Sequence, residues 1–429
     1  MKSVPSLSRR EFVKNSAVLG AGVAGLARLP ALRAQHSPSD KIIVGIMGLG
    51  RGRMHIDGFL GVPNVEIGYL CDVDADRLGA AMKRIASRQK TPPKAVTDFR
   101  RILDDRDVDV LSIAAPNFWQ APATILACAA GKHVYVEKPG SHNPHEAELM
   151  VAAARKYDRR VQMGNQRRSY PSMIEGIAKL HSGAIGRLLF ARCWHCGNRP
   201  SIGRGVPASI PAGLDYTLWQ GPAPDRPYVN NLVHYQWHWR WHWGGGDLAN
   251  SGVHSLDVAR WGLGVFHPRQ VSYVGGRYLF DDDRETPDCG TTSFDFGDKG
   301  ITWDGSTCHS RKAEDMRFVT FYGVGGTMKM TSAGYSIHDS DGKLLFENPG
   351  TPGDVPHFRN LVNGIRHGEK LAAEIGDAQI SAQLVHLGNI AYRTGRTLTV
   401  DPKSGKVPGD SAANGLWRRE YRRGWEPKV

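Results

Sequence analysis

The stretch Lys41–Arg53, "KIIVGIMGLGRGR", joins a short apolar run to a glycine-rich turn. The apolar run predicts a strand buried on both faces, because such strands read as continuous hydrophobic segments. Glycines in the turn allow a tight bend and a close approach to a pyrophosphate at the start of the next helix. The strict fingerprint places a third glycine at position 53, where this chain has arginine. We therefore predict a dinucleotide-binding turn formed by Gly48, Gly50, Arg51 and Gly52.

The second predicted strand ends in an acidic residue. The run "VEIGYLCDVD", residues 65–74, places Asp72 about 20 residues beyond the glycine turn. A carboxylate at this position accepts hydrogen bonds from the ribose 2′-hydroxyl of NAD and repels the 2′-phosphate of NADP. The sequence therefore predicts NAD as the cofactor, with NADP as the alternative.

Predicted strands and helices alternate from Lys41 to Asn165, which indicates parallel β-α-β units. We predict an N-terminal doubly wound Rossmann domain of the α/β class over residues 41–165. The short strand-like runs that follow predict a C-terminal α+β domain over residues 166–402 with a large, mostly antiparallel open sheet. We expect this domain to bind substrate and, through the uncovered sheet face, a second copy in a homodimer or homotetramer. Residues 403–429 are predicted to be a C-terminal tail.

The composition is that of an ordinary soluble protein, with 41% hydrophobic and 23% charged residues in a chain of 429. The formal charge is +13, but the basic residues are scattered, apart from "RREYRR" at 418–423. We therefore predict no nucleic-acid partner. No segment has the roughly 18 consecutive apolar residues of a spanning helix. No stable membrane anchor is predicted once the N-terminal segment is removed.

The N-terminal segment carries the motif "SRREFVK", Ser8–Lys14, directly before a weakly apolar run. Paired arginines before such a run are typical of a twin-arginine export signal. We predict a signal peptide over residues 1–34, recognition by the Tat translocase, and a periplasmic or secreted protein. An uncleaved anchor or a disordered N-terminus is the alternative.

Three further segments combine into a recognisable pattern. They are "SIAAPNFWQ" at 112–120, "VYVEKPGSH" at 134–142 and "GGGDLANSGVHSLDVARW" at 244–261. Together with the glycine turn, they resemble the Gfo/Idh/MocA oxidoreductases, which are related to glucose–fructose oxidoreductase and inositol dehydrogenase. The resemblance runs from about Lys41 to Pro402 and implies a two-domain oxidoreductase with a nicotinamide cofactor.

The resemblance also implies the site residues. Lys138, in the Glu-Lys-Pro element, matches the active-site lysine of the family. The family carries an Asp and a His four residues apart on a helix; His254 matches the histidine, whereas Asn250 stands in place of the aspartate. The chain has Gln120 where a histidine is frequent at the end of the Pro-Asn segment.

The chemistry of the residues points to the same positions. Hydride leaves a sugar carbon only as the hydroxyl proton is removed, so a base must contact that oxygen. Lys138 follows a parallel strand at the sheet edge where α/β folds bind ligands, and burial beside a cationic cofactor would lower its pKa. His254 exchanges a proton near neutral pH, whereas Asn250, one helical turn away, only orients a hydroxyl or the imidazole. We predict that Lys138 and His254 are catalytic and that Asn250 contacts substrate.

Other residues at the ends of predicted strands are expected to contact the ligands. Arg167 is predicted to bind an anionic group of the substrate; a loop side chain facing water is the alternative. The residues predicted to contact the cofactor are Pro116, Asn117, Glu137, Lys138 and Gln166.

The segment "HYQWHWRWHWGGG", residues 234–246, alternates aromatic side chains with His, Gln and Arg. An extended backbone would place these two sets on opposite faces. Indole faces match sugar rings, so we predict a carbohydrate pocket that includes Trp237, His238 and Arg240; an aromatic core is the alternative. No metal site is predicted, because no carboxylate or cysteine completes a zinc set with the three histidines of this segment.

The sequence thus predicts an exported NAD(P)-dependent oxidoreductase that acts on a hydroxyl of a sugar or sugar derivative. Free NAD is scarce outside the cytoplasm, so the cofactor is expected to be tightly bound and recycled on the protein. The first alternative is a redox-neutral NAD-dependent glycosidase on the same fold. The second is a non-catalytic sugar-binding protein built on a retired enzyme scaffold.

The export prediction has a direct test. Replacing Arg9 and Arg10 together by lysine should leave the precursor in the cytoplasm, because the paired arginines define the signal. The same replacement at Arg28 and Arg33 keeps the charge and leaves the motif intact, so it serves as the control. Cell fractionation and immunoblotting measure the outcome, and an unchanged periplasmic yield of the first variant would refute the assignment.

Overall fold

The structure is a computed structural model that describes residues 40–315 and 317–429. The predicted export signal over residues 1–34, with Arg9 and Arg10, lies outside the described residues. Within the described part, no helix has both the length and the apolar character needed to cross a membrane.

Six parallel strands form the sheet of the first domain, in the order β3-β2-β1-β4-β5-β6. The chain starts near the middle of the sheet and winds outward in both directions, which confirms the predicted Rossmann fold. The strands are β1 (Ile42–Met47), β2 (Val65–Cys71), β3 (Lys94–Val96), β4 (Val110–Ile113), β5 (His133–Val136) and β6 (Val161–Met163).

Five helices connect these strands and cover the sheet. Two of them begin at capping side chains: Asp74 accepts a hydrogen bond from the Arg77 amide at 2.9 Å, and Asn143 accepts one from the Glu146 amide at 3.0 Å. The helices are α1 (Gly52–Leu60), α2 (Ala75–Ile85), α3 (Arg100–Asp104), α4 (Asn117–Ala129) and α5 (Pro144–Lys156).

The second domain contains a nine-stranded open sheet in the order β14-β13-β12-β11-β7-β10-β9-β8-β15. Neighbouring strands are antiparallel except for the parallel pair β7 and β10, so the predicted mostly antiparallel sheet is confirmed. The strands are β7 (Leu188–Cys196), β8 (Gln270–Gly276), β9 (Cys289–Asp295), β10 (Gly300–Ser306), β11 (Val319–Gly323), β12 (Gly326–Met330), β13 (Tyr335–His338), β14 (Leu344–Asn348) and β15 (Leu398–Thr399).

The remaining helices pack on this sheet or join the two domains. The longest helix of the described residues is α10, which begins after the capping Glu374 and ends at Gly395 in the left-handed conformation. Its two faces contact α5 of the first domain and α8 of the second. The helices are α6 (Pro171–His181), α7 (Tyr216–Gln220), α8 (Val253–Leu263), α9 (Val355–His367), α10 (Ile375–Thr394) and α11 (Ser411–Gly415).

Two segments cross the predicted domain boundaries. Helix α9 lies within the range assigned to the second domain, yet Phe358 packs in the core of the first, against Phe59 and Tyr135 at centroid distances of 4.7 and 4.5 Å. The C-terminal segment likewise packs on the first domain, where Tyr421 donates a hydrogen bond to Glu146 at 2.7 Å. The first domain is therefore completed by residues far along the chain.

A buried ion pair joins the strand ends of the first domain to helix α8. Arg168, in a 3-10 turn after β6, donates two hydrogen bonds to Asp257 of α8 at 2.9 and 2.7 Å. Asp257 also accepts a hydrogen bond from Ser381 of α10 at 2.7 Å. Asp257 therefore anchors α8 against the first domain rather than orienting His254 or pairing at the surface.

The role of α9 gives a stability prediction. Replacing Phe358 by alanine should lower the free energy of unfolding by about 3–5 kcal/mol, because it removes a fully buried aromatic side chain. Phe266 is 59% exposed, so Phe266→Ala is the matched control and should change stability by less than about 0.5 kcal/mol. Urea unfolding followed by tryptophan fluorescence measures both. Similar losses in the two variants would contradict this placement of α9.

Candidate active site

A cavity of about 730 Å³ lies at the carboxyl ends of β1, β2, β4 and β5, between the Rossmann sheet and the start of α8. Polar groups from both domains line it, and most of the residues predicted from sequence are among them. Those residues are Gly48, Gly50, Arg51, Asp72, Pro116, Asn117, Glu137, Lys138, Gln166, Arg167, Trp237, His238, Asn250 and His254.

The glycine turn has the shape that a dinucleotide needs. Gly48 adopts φ +86°, and a Cβ there would lie 2.8 Å from the backbone of Ala114. Gly52 does not line the cavity; a Cβ there would lie 3.0 Å from Ile46, so this glycine lets α1 pack closely on β1. Arg51 and Arg53 at the start of α1 line the cavity, and the N-terminus of a helix is a ready site for a pyrophosphate.

Asp72 ends β2 beside this turn. Its two oxygens accept hydrogen bonds from the Leu49 amide at 2.6 Å and the Asp74 amide at 3.0 Å. Burial raises the pKa of Asp72, and these two amides oppose that shift. Arg77, which the sequence analysis missed, lies over the turn with its guanidinium 2.7 Å from the position of a Cβ on Gly50. The turn, the carboxylate and the cavity volume together fit NAD.

The carboxylate of Glu137 is the centre of a buried cluster at the end of β5. It accepts hydrogen bonds from His55 at 3.1 Å, Gln166 at 3.2 Å and Arg51 at 3.4 Å. Burial alone would raise the pKa of Glu137, but the hydrogen bond and charge of His55, with the charges of Arg51 and Lys138, bring it well below its usual range. Glu137 is therefore a buried anion in the cavity lining.

Lys138 reaches from the first domain to the second. Its Nζ donates hydrogen bonds to the backbone oxygen of Asn250 at 2.5 Å and to the Oδ1 of Asn250 at 3.1 Å. Burial, aided by the charges of Arg51 and Arg167 and opposed by Glu137, lowers the pKa of Lys138 to about 8. The amine therefore changes protonation close to physiological pH.

His254, on helix α8, lines the same cavity as Lys138. A π-helical turn, Leu248–Gly252, precedes α8 and carries Asn250. Such turns often occur at functional sites, because they push a side chain out of the regular helix. Burial, together with the charges of Lys138 and Arg167, holds the pKa of His254 well below its usual range. Its imidazole is neutral, and among the described residues neither ring nitrogen has a hydrogen-bond partner.

Gln120 holds the loop that carries Lys138. Its amide nitrogen donates to the backbone oxygens of Ala115 at 3.2 Å and Lys138 at 3.4 Å, and its Oε1 accepts from the Gly140 amide at 2.9 Å. A glutamine at this position thus acts on the lysine loop through the backbone rather than through proton exchange.

The aromatic segment differs from its predicted conformation. The extended backbone is wrong, because residues Gln236–Trp239 form a 3-10 helix between turns. The indole N–H of Trp237 donates to the His234 oxygen at 3.1 Å, which stabilises this tight turn. Trp237 and His238 still line the cavity, and their rings stack at 3.6 Å. Burial lowers the pKa of His238 to about 3, so this histidine is neutral as well.

The structure corrects the prediction for Arg240. Its guanidinium donates to Asn231 at 2.7 Å and to Asp283 at 3.0 Å, and it lies outside the cavity lining. Among the described residues, no three His, Cys, Asp or Glu side chains are grouped closely enough to hold a metal ion.

Two sequence models of one oxidoreductase family match the chain. The NAD-binding Rossmann model matches residues 14–165, and the C-terminal alpha/beta domain model matches residues 202–273 and 337–427. The chain belongs to the Gfo/Idh/MocA oxidoreductase family. Its cofactor is NAD, in agreement with Asp72 at the end of β2.

Curated relatives match less than half of the chain. A glycosyl hydrolase family 109 protein of Saccharopolyspora erythraea is 32% identical over 204 residues, which cover 43% of this chain and 44% of that protein. The uncharacterised oxidoreductase YrbE of Bacillus subtilis is 31% identical over 149 residues, which cover 34% of this chain and 42% of that protein. The chain thus spans less than half the length of these curated relatives.

Solved structures share the whole fold. The aldose-aldose oxidoreductase of Caulobacter crescentus superimposes with a TM-score of 0.65 at 20% identity, covering 84% of this chain and 100% of that one. A levoglucosan dehydrogenase solved with NADH and levoglucosan superimposes with a TM-score of 0.66 at 17% identity, covering 84% of this chain and 99% of that one. These similarities establish the two-domain architecture.

The glycine turn provides a binding prediction. Gly48→Ala should weaken NAD binding by about tenfold or more, because alanine at positive φ is strained and its Cβ meets the Ala114 backbone. Gly79→Ala is the matched control, since nothing lies within 4 Å of a Cβ at that position of α2. Calorimetric titration of cofactor-stripped protein with NAD measures the affinities. Equal affinity of the two variants would show that the cofactor lies elsewhere.

Proposed function

We propose that this protein oxidises a hydroxyl group of a sugar or sugar derivative, with Lys138 as the acid–base group. The observation that carries the proposal is the Lys138 amine, which lies in the cofactor cavity with its pKa lowered to about 8. A general base is most effective when its pKa is near the working pH. An exposed lysine would be fully protonated there.

Oxidation of an alcohol releases a hydride from carbon and a proton from oxygen, and NAD, when bound, accepts the hydride. Neutral Lys138 is placed to take the hydroxyl proton, after which the carbon–oxygen double bond forms. Asn250 holds the amine in place through two hydrogen bonds, and substrate oxygen would replace one of them. Neutral His254, whose ring nitrogens have no hydrogen-bond partner among the described residues, would bind the same or a neighbouring hydroxyl.

A sugar substrate is supported by the aromatic side chains in the cavity lining. Trp237, His238 and Tyr235 place aromatic rings there beside polar groups, which suits the apolar face and the hydroxyls of a pyranose. Solved proteins of the same fold include a levoglucosan dehydrogenase and an aldose-aldose oxidoreductase.

The second candidate is redox-neutral cleavage of a glycoside. The glycosyl hydrolase family 109 relatives favour it. In that route oxidation of one hydroxyl acidifies the neighbouring C–H, the aglycone leaves by elimination, water adds, and the ketone is reduced again. Lys138 and His254 would serve as the proton carriers in this route too.

Export and assembly stay predictions. Transport in the folded state would deliver the protein with NAD already bound, which fits an enzyme that works where free NAD is scarce. Association into a homodimer or homotetramer is expected from the open nine-stranded sheet. Val274 in β8 and Phe346 in β14 are exposed apolar side chains of that sheet.

Loss of the base is the first test of this proposal. Lys138→Met should keep NAD bound and lower turnover by about 10²–10⁴-fold, because proton removal from the hydroxyl loses its acceptor. Lys179→Met on α6 removes a lysine from the surface and is the control. A screen of sugars, sugar acids and aryl glycosides follows both reduced cofactor and released aglycone. Full activity of Lys138→Met in the responding assay would overturn the proposal.

The same screen separates the candidate functions. A simple oxidoreductase accumulates a keto product or reduces a second carbonyl compound. A redox-neutral glycosidase releases aglycone without net reduced cofactor, and deuterium on the oxidised carbon slows it. A binding protein does neither, although sugar raises its melting temperature.

The lowered pKa of Lys138 gives a pH prediction. The neutral amine is the base, so kcat/KM for oxidation should rise about tenfold per pH unit below pH 8 and level off above it. Stopped assays between pH 6 and 10, under conditions of constant stability, measure the profile. An inflection near pH 10, typical of an unperturbed lysine, would contradict the assigned environment.

A further inference from the structure

We propose that the substrate of this cavity is a sugar acid whose carboxylate binds the guanidinium of Arg167. The inference rests on the proposed function, because it names the substrate class of the same site. It follows from a cation in the cavity wall with which no carboxylate of the described residues forms an ion pair.

Arg167 lies in the 3-10 turn after β6 and lines the cavity that holds Lys138 and His254. Its guanidinium carbon lies 4.2 Å from the centroid of the Phe318 ring, which fixes one face of the group. The Nε atom is buried and has no hydrogen-bond partner within the described residues. The charge of Arg167 lowers the pKa of both Lys138 and His254, so the guanidinium is close to the proposed reacting groups.

The nearest carboxylates are already occupied by other partners. Asp354 accepts from Arg51 at 2.9 Å and from the Tyr170 hydroxyl at 3.2 Å. Asp257 accepts two hydrogen bonds from Arg168 and one from Ser381. Glu137 accepts hydrogen bonds from His55, Gln166 and Arg51. In the described part of the chain, Arg167 forms no ion pair within 4 Å.

An unpaired guanidinium inside a cavity is unfavourable unless a ligand completes its hydrogen bonds. Its planar fork matches the two oxygens of a carboxylate better than it matches a hydroxyl. Lys138 adds a second positive charge nearby when it is protonated, and the amide of Asn250 beside it brings no negative charge. Arg167 and Lys138 therefore select an anion, and the aromatic rings that line the same cavity select a sugar ring to carry it.

Binding can be measured without turnover by saturating the protein with NADH, with which a hydroxy substrate does not react. Calorimetric titration compares D-glucuronate and D-galacturonate with D-glucose and D-galactose, which differ only in the carboxylate. At least one uronate should bind about 10- to 100-fold more tightly than its neutral counterpart. Arg167→Gln should reduce this ratio to about threefold or less, and Arg167→Lys, which keeps the charge without the fork, should give an intermediate ratio.

Three results would overturn the inference. Neutral sugars binding as tightly as uronates would show no anion preference. Arg167→Gln weakening acids, neutral sugars and NADH alike would give Arg167 a cofactor or folding role. If D-glucose 6-phosphate bound more tightly than the uronates, and this binding depended on Arg167, the anionic group of the substrate would be a phosphate ester and not a carboxylate.

The proposed function fails separately. If uronates bind through Arg167 but are never oxidised or cleaved by the NAD-loaded enzyme, the proposed chemistry is wrong and the ligand assignment stands. If neutral sugars are oxidised with no preference for acids, the chemistry stands and the ligand assignment is wrong.

Discussion

The buried carboxylate of Glu137 is the interaction on which the site depends. It lies at the end of β5 and accepts hydrogen bonds from Arg51 just before α1, from His55 within α1, and from Gln166 after β6. These contacts join three segments of the Rossmann domain at the point where the cofactor binds. These contacts also fix Glu137, the residue directly before Lys138, and so help to position the lysine.

The second domain completes this arrangement. Arg168 and Asp257 form a buried pair that holds α8 against the strand ends, and α8 carries His254 into the cavity. The π-helical turn before α8 presents Asn250 to the Lys138 amine. Each domain thus supplies one of the two groups, Lys138 and His254, to which we assign proton transfer, and the proposed substrate site lies between them. Loss of the Arg168–Asp257 pair would therefore disturb the position of His254 more than it would disturb the NAD site.

Much of this was predictable from sequence because it depends on local rules. The glycine turn, Asp72 and the alternation of strands and helices each obey short-range geometry, so the Rossmann fold and its cofactor followed from them. The placement of Phe358 in the core of the first domain could not be predicted, since nothing in the local sequence of α9 shows which sheet this helix covers. The aromatic segment was misassigned because alternation suggested a strand, whereas indole hydrogen bonds and glycines favour tight turns. Arg240 was misplaced for the same reason. His55 and Arg77 could not be predicted as site residues, because their partners lie far along the chain.

We propose that Lys138 is a base whose pKa is lowered chiefly by burial, with the charges of Arg51 and Arg167 adding to the shift and Glu137 opposing it. Its side chain can be titrated directly by carbon–nitrogen NMR of protein labelled at the lysine Cε and Nζ positions, with the signal assigned by its absence in Lys138→Met. The account predicts a titration midpoint near pH 8 for Lys138. A midpoint above pH 10, like that of a surface lysine, would contradict it.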